Sequence, residues 1–171
     1  MQNILNLEDR KIVITGITAE IGPAVANGLG KNGAQVIGVY RSEESLKDAK
    51  ERIELKETIN FYKADLTVED SLENLQKEIQ SDYHSLHGLV NLVGGFSGGG
   101  LKRTSGSEFL NSFKRQAFSV FLTVKYLSPL FEENNASVVN FSSQRALDSK
   151  PNSLAYNAGK MAVVSLTKSM S

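Results

Sequence analysis

The sequence predicts an α/β domain built on a doubly wound parallel sheet, in three layers of helix, sheet and helix. Three observations predict it. Short β-rich runs alternate with helical patterns at about thirty-residue intervals, the mark of βαβ units joined by right-handed crossovers. The first run, Lys11 to Thr15 (KIVIT), is apolar almost throughout, as a strand covered on both faces must be. It passes straight into a glycine-bearing turn, TGITAEIG, and a helix start. No solenoid repeat or low-complexity linker interrupts the 171 residues, so one domain over 1–171 is expected.

The helix after the first strand runs from about Pro23 to Lys31, with Pro23 suited to its first turn and Gly33 to its C-terminal cap. Strand, glycine turn and helix start in this order make an anion site, because the first N–H groups of a helix are unpaired and its dipole is positive there. Gly16 permits the tight turn, and Gly22 lets backbone approach a pyrophosphate. Gln35 to Tyr40 is the second strand, followed by an amphipathic helix in RSEESLKDAKERIELK. Just past this strand, a doubly wound domain uses an acid to hold a ribose 2′-hydroxyl or an arginine to accept a 2′-phosphate. Here stand Tyr40 and Arg41, with no acid. NADP is the expected cofactor, with NAD the second choice.

Ile59 to Ala64, the third strand, runs into Asp65-Leu66-Thr67, where Thr67 and Asp70 have capping-box spacing for a helix reaching about Tyr83. Leu89 to Val93 is the fourth strand. It ends in Gly94-Gly95 and a glycine-rich loop, FSGGGLKRTSG, expected to be mobile or ligand-adapted. A long helix from about Ser107 to Phe131 follows, with Pro129 ending or kinking its last turn. Its core face is read as Leu110, Phe113, Ala117, Phe121, Val124 and Leu127. Ser137 to Phe141 is the fifth strand, and a loop from Gln144 to Ser153 leads to the last helix.

That helix carries the chemistry. Tyr156 and Lys160, four residues apart, share a face at about 5–6 Å between Cβ atoms. A free phenol ionises only near pH 10, and a neighbouring cation favours phenolate, which is one way to make an acid/base catalyst. Ser143 falls at the C-terminal lip of the fifth strand, where parallel sheets bind ligands.

Composition narrows the partners. Basic and acidic residues balance at 19 each, which argues against nucleic acid. Without cysteine, and with only His84 and His87, a metal site is not expected. The two histidines read as surface or helix-capping groups. No segment reaches the roughly 18–20 apolar residues of a membrane span, and MQNILNLEDRK is too short and too charged for a secretory signal. A cytoplasmic protein is expected.

Together these residues resemble the short-chain dehydrogenase/reductase family, over nearly the whole chain and in the same order. TGITAEIG is similar to the family's T-G-x3-G-x-G phosphate loop, with Thr15, Gly16 and Gly22 retained. Asp65 in DLT resembles the acid that contacts adenine, and Asn91 in NLVGG opens a stretch similar to the family's Asn-Asn-Ala-Gly. Ser143 in VVNFSS, followed thirteen residues later by Tyr156 in YNAGK, resembles the catalytic serine, tyrosine and lysine.

The resemblance implies a Rossmann-like fold, strand order 3-2-1-4-5 with the later strands missing, and an oxidoreductase that moves hydride between NADP(H) and a small carbonyl or alcohol substrate. In it Ser143 donates a hydrogen bond to the carbonyl oxygen, Tyr156 gives or takes the proton, and Lys160 tunes the phenol and holds the nicotinamide ribose. Cofactor contacts are implied at Gly16, Thr18, Ile21, Gly22, Tyr40, Arg41, Asp65, Leu66, Asn91, Gly94, Tyr156 and Lys160. A homo-oligomer, dimer or tetramer, through the two long helices is implied as well.

Three departures accompany the resemblance. Glu20 replaces the middle glycine of the phosphate loop and must face solvent if a pyrophosphate is to bind. Gln116 aligns with an asparagine that holds a relay water, the same amide on a longer arm. The family continues past the position of Ser171 through two more strands and a substrate lid, so a longer parent protein is expected. A second reading stays open: a catalytically silent dinucleotide-binding domain serving as sensor or assembly subunit.

Overall fold

The computed structural model describes residues 6–149 and 151–171. Residues 1–5, the start of the stretch read against a secretory signal, and Lys150, in the connection before the last helix, lie outside it. Five parallel strands form one sheet: β1 (Lys11–Thr15), β2 (Gln35–Tyr40), β3 (Asn60–Lys63), β4 (Gly88–Asn91) and β5 (Ser137–Asn140). Their order is β3-β2-β1-β4-β5, the doubly wound α/β arrangement expected from the sequence. Thr15 pairs with Val39 on one side and Asn91 on the other, and Asn91 with Asn140. Strand order reverses at β1, which opens a crevice beyond the carboxyl ends of the strands.

Side chains alternate along each strand, and that alternation builds the layers. Ile12 and Ile14 join Ala26 of α1 (Gly22–Lys31) and Ala49 of α2 (Glu43–Arg52) in one apolar cluster. Val13, pointing the other way, joins Leu72 and Leu75 of α3 (Glu69–Asp82) and Leu122 of α5 (Ser119–Leu127) in a second. Each fully buried isoleucine, valine or leucine among them contributes about 1.5–3 kcal/mol relative to exposure.

The long helix is not uniform. Its first part, α4 (Gly106–Phe113), is closed by a capping box: the Ser105 hydroxyl accepts from the Glu108 amide at 3.2 Å while the Glu108 carboxylate accepts from the Ser105 amide at 2.7 Å. The backbone then widens into a π-helical turn over Lys114–Phe118, continues as α5, and ends in a 3₁₀ turn, Ser128–Leu130, that holds Pro129. Only part of the expected core face is buried. Ala117 and Leu127 are enclosed and Val124 packs on the core, but Leu110, Phe113 and Phe121 are 60%, 38% and 40% exposed. The extra residue of a π turn rotates everything before it against everything after, so one 3.6-residue stripe cannot stay inward along the whole length.

Other expectations are corrected as well. Thr67 does not cap α3, which starts after Val68 with no side-chain cap. Thr67 instead serves Asp65, whose Oδ1 accepts from its amide at 3.0 Å and its hydroxyl at 2.7 Å. His87 is neither a surface nor a capping group: Nδ1 accepts from the Lys11 amide at 3.1 Å and Nε2 meets Glu132 at 2.8 Å. The stretch expected as loop after β5 contains a short helix, α6 (Gln144–Asp148). The loop after β4 is pinned, because Gly99 exchanges backbone hydrogen bonds with Asn152 and Leu154 at the start of α7 (Leu154–Ser169). Helix α7 packs against α4 and the π-helical turn. Among the described residues no helix is long and apolar enough to cross a membrane.

Candidate active site

A cleft of about 310 Å³ lies over the carboxyl ends of the strands. Gly16 and Thr18 line it after β1, Tyr40 and Arg41 after β2, Asp65 and Leu66 after β3, and Gly94 after β4. Gly16 holds φ at +69°, and a Cβ there would stand 3.0 Å from the Val93 side chain. Glycine therefore serves both the turn and the close approach of the two loops. Ile21 and Gly22 stand outside this lining. A Cβ on Gly22 would fall 2.1 Å from the Ile17 carbonyl oxygen, so what approaches Gly22 is the turn's own backbone. Glu20 is exposed and also outside the lining. Its carbonyl accepts from the Arg52 guanidinium.

Asp65 and Arg41 line the cleft after β3 and β2, and Arg115 adds a second cation to it. Burial works against ionisation of Asp65, but the two hydrogen bonds from Thr67, with the Arg41 charge, outweigh it and hold the carboxyl below its ordinary range. Tyr40, next to Arg41, is pushed the other way, by burial and by its 2.9 Å hydrogen bond to Glu43. The Tyr40 hydroxyl thus remains a donor.

Beyond Gly94 a second group of residues converges from β5, α7 and the π-helical turn. Lys160 is 6% exposed, and its ammonium donates to the Phe141 carbonyl at 2.6 Å. Burial lowers the pKa of this amine. Gln116, fully buried, donates its amide to the Gly95 carbonyl at 2.8 Å, while its Oε1 has no hydrogen-bond partner among the described residues. A Cβ on Gly94 would lie 2.9 Å from that Oε1 and 3.2 Å from the Lys160 Nζ. Glycine lets these two side chains pack directly against the backbone here.

Ser143 caps α6, its hydroxyl oxygen accepting from the Arg145 amide at 3.2 Å, so its own O–H remains available to donate. Neighbouring Ser142 ties β5 to α7 by donating to the Lys160 carbonyl at 2.7 Å. Tyr156 stands one turn before Lys160, half-buried, its ring edge-on to Phe96 with centroids 5.3 Å apart. Its hydroxyl makes no hydrogen bond among the described residues.

Asn91 takes a different part. Its Oδ1 accepts from Thr15 at 2.8 Å and its Nδ2 donates to Asn140 at 2.8 Å, and Asn140 in turn donates to Thr167 of α7 at 3.0 Å. The amide is committed to this ladder and does not line the cleft. Two neighbours carry no motif signal. Arg115 lines the cleft from the π-helical turn. Gly159 is required because a Cβ there would stand 2.8 Å from the Gln116 Cβ.

The short chain dehydrogenase family profile matches residues 10–171. The chain belongs to the short-chain dehydrogenase family. A 3beta-hydroxysteroid dehydrogenase of Mediterraneibacter gnavus is 31% identical over 98% of this chain and 62% of its own length. A dehydrogenase/reductase SDR family member 6 of Xenopus laevis is 28% identical over 96% of this chain and 64% of its own. Among solved structures, the ligand-free aldohexose dehydrogenase of Thermoplasma acidophilum superposes with a TM-score of 0.84 at 28% identity, covering 96% of this chain and 61% of that one. The chain thus spans a little under two thirds of the family relatives it matches.

Proposed function

We propose that this protein is an NADP(H)-preferring oxidoreductase that moves hydride between the nicotinamide and a carbonyl or alcohol substrate. The observation that carries the reading is the buried Lys160 ammonium at the lip of β5, beside Gly94 and one helical turn from Tyr156. A buried cation is costly unless its charge is used. The residues fit a dinucleotide: Gly16 and Gly94 line the cleft without side chains, and Arg41 offers a cation where a 2′-phosphate is read.

When bound, the nicotinamide supplies or accepts the hydride. Gly16 and Thr18 would hold the phosphates, Asp65 and Leu66 the adenine, and Lys160 the nicotinamide ribose. Ser143 donates to the carbonyl oxygen, where negative charge develops. Tyr156 gives that oxygen its proton, or takes it in the reverse direction. Substrates are small carbonyl or alcohol compounds. The exposed Leu110, Phe113 and Phe121 on the long helix support assembly into a homo-oligomer.

The test is Tyr156→Phe. Reduction of a carbonyl substrate is expected to fall at least 100-fold, the scale of a lost general acid, while NADPH binding, followed by fluorescence, is nearly unchanged. A variant that keeps its rate removes Tyr156 from the mechanism. The alternative, a catalytically silent dinucleotide-binding domain, draws on Gln116, whose Oε1 has no hydrogen-bond partner among the described residues. NADPH binding by the parent with no oxidation across a carbonyl screen decides for it.

A further inference from the structure

We propose that Arg115 is a phosphate-binding residue of the cleft, a second guanidinium acting alongside Arg41. The inference rests on the dinucleotide reading above and adds to it a residue that none of the sequence motifs marks.

Backbone geometry brings Arg115 to the site. Successive residues of a regular helix point about 100° apart, and Gln116 already points inward, its amide on the Gly95 carbonyl. The π-helical turn, closed by the Ser119 amide on the Lys114 carbonyl, carries both residues. Such a turn changes the angular step locally and often marks a functional position. Here Gln116 faces the loop after β4 while Arg115, half-buried, lines the cleft together with Gly16, Asp65 and Gly94.

Charge makes the second half of the case. No carboxylate pairs with Arg115 among the described residues. Asp65 is the sole acid lining the cleft among the described residues, and its Oδ1 is engaged by Thr67 under the field of Arg41. Two guanidinium groups against one occupied carboxylate leave the cleft net positive. Arg115 lines the cleft without a carboxylate partner among the described residues, so an entering phosphate supplies the charge-assisted bonds its guanidinium can make. The same phosphate chemistry belongs to the 5′-phosphates and to a 2′-phosphate of an adenine nucleotide, and the test separates them.

The experiment is calorimetric titration of the parent chain, Arg115→Leu and Arg115→Lys with adenosine, ADP and adenosine 2′,5′-bisphosphate. Arg115→Leu is expected to weaken phosphate-bearing ligands about tenfold, the scale of one charge-assisted hydrogen bond. Adenosine is expected to bind as before, and Arg115→Lys to recover part of the loss. Similar weakening of ADP and the bisphosphate assigns Arg115 to the 5′-phosphates; loss confined to the bisphosphate assigns it to the 2′-phosphate. Unchanged affinities, or adenosine weakened as much as ADP, overturn the proposal and leave Arg115 a packing residue. A parent chain that binds none of the three overturns the dinucleotide reading and this proposal with it. If Arg115→Leu does not fold, Arg115→Gln takes its place with the same expectations.

Discussion

Asp65 shows what one side chain does for both fold and site. Its Oδ1 takes two hydrogen bonds from Thr67, its amide donates to the Ser71 hydroxyl at 2.9 Å, and it shares the cleft with Arg41. Because the folded carboxyl ionises below its ordinary 3.8, the unfolded chain binds that proton more readily. The resulting stabilisation is complete above about pH 3.8 and is lost as pH falls through the lower folded value. Asp65→Asn is therefore expected to lower stability at neutral pH and to flatten its decline below pH 3.8, measured by urea unfolding across pH. Parallel pH profiles for parent and variant would contradict this. The sequence made Asp65, Arg41 and Lys160 readable because each stands directly after a strand or beside a motif tyrosine. It concealed Gly159, since its requirement is the Gln116 side chain 2.8 Å away on another helix, and spacing along the chain holds no trace of that contact.

At the scale of elements, Asn91 holds β1, β4, β5 and α7 in register through the Thr15, Asn140 and Thr167 side chains. Thr15 is fully buried, so its hydroxyl has no water to fall back on. Asn91→Ala is expected to destabilise the fold by about 3 kcal/mol, from a buried polar group left unpaired together with lost packing. Denaturant unfolding measures it, and a cost under about 0.5 kcal/mol would show that the ladder is incidental. Strand positions were legible to within a residue or two, because buried parallel strands are written as apolar runs between glycine turns. The long helix was legible in extent but not in phase. Its apolar pattern assumes a constant 3.6-residue step, and the turn at Lys114–Phe118 breaks that step. The Ser105 capping box, with Glu108 three residues on, was present in the sequence all along.

For the molecule as a whole, the two helical layers bury the sheet faces but leave β5 outermost, with Val139 half exposed. Edge strands of this kind are normally covered. The cleft is lined mostly by the segments following β1 to β4 and by the π-helical turn. Nucleotide binding is the part of the proposed function that this lining bears on. The central claim is tested most directly by titrating the chain with NADPH and with NADH and following nicotinamide fluorescence, for the parent and for Arg41→Asp. The account predicts saturable binding with NADPH the tighter ligand, and a preference moved toward NADH in the variant. Absence of saturable binding, or equal affinity of the parent for the two cofactors, would contradict it.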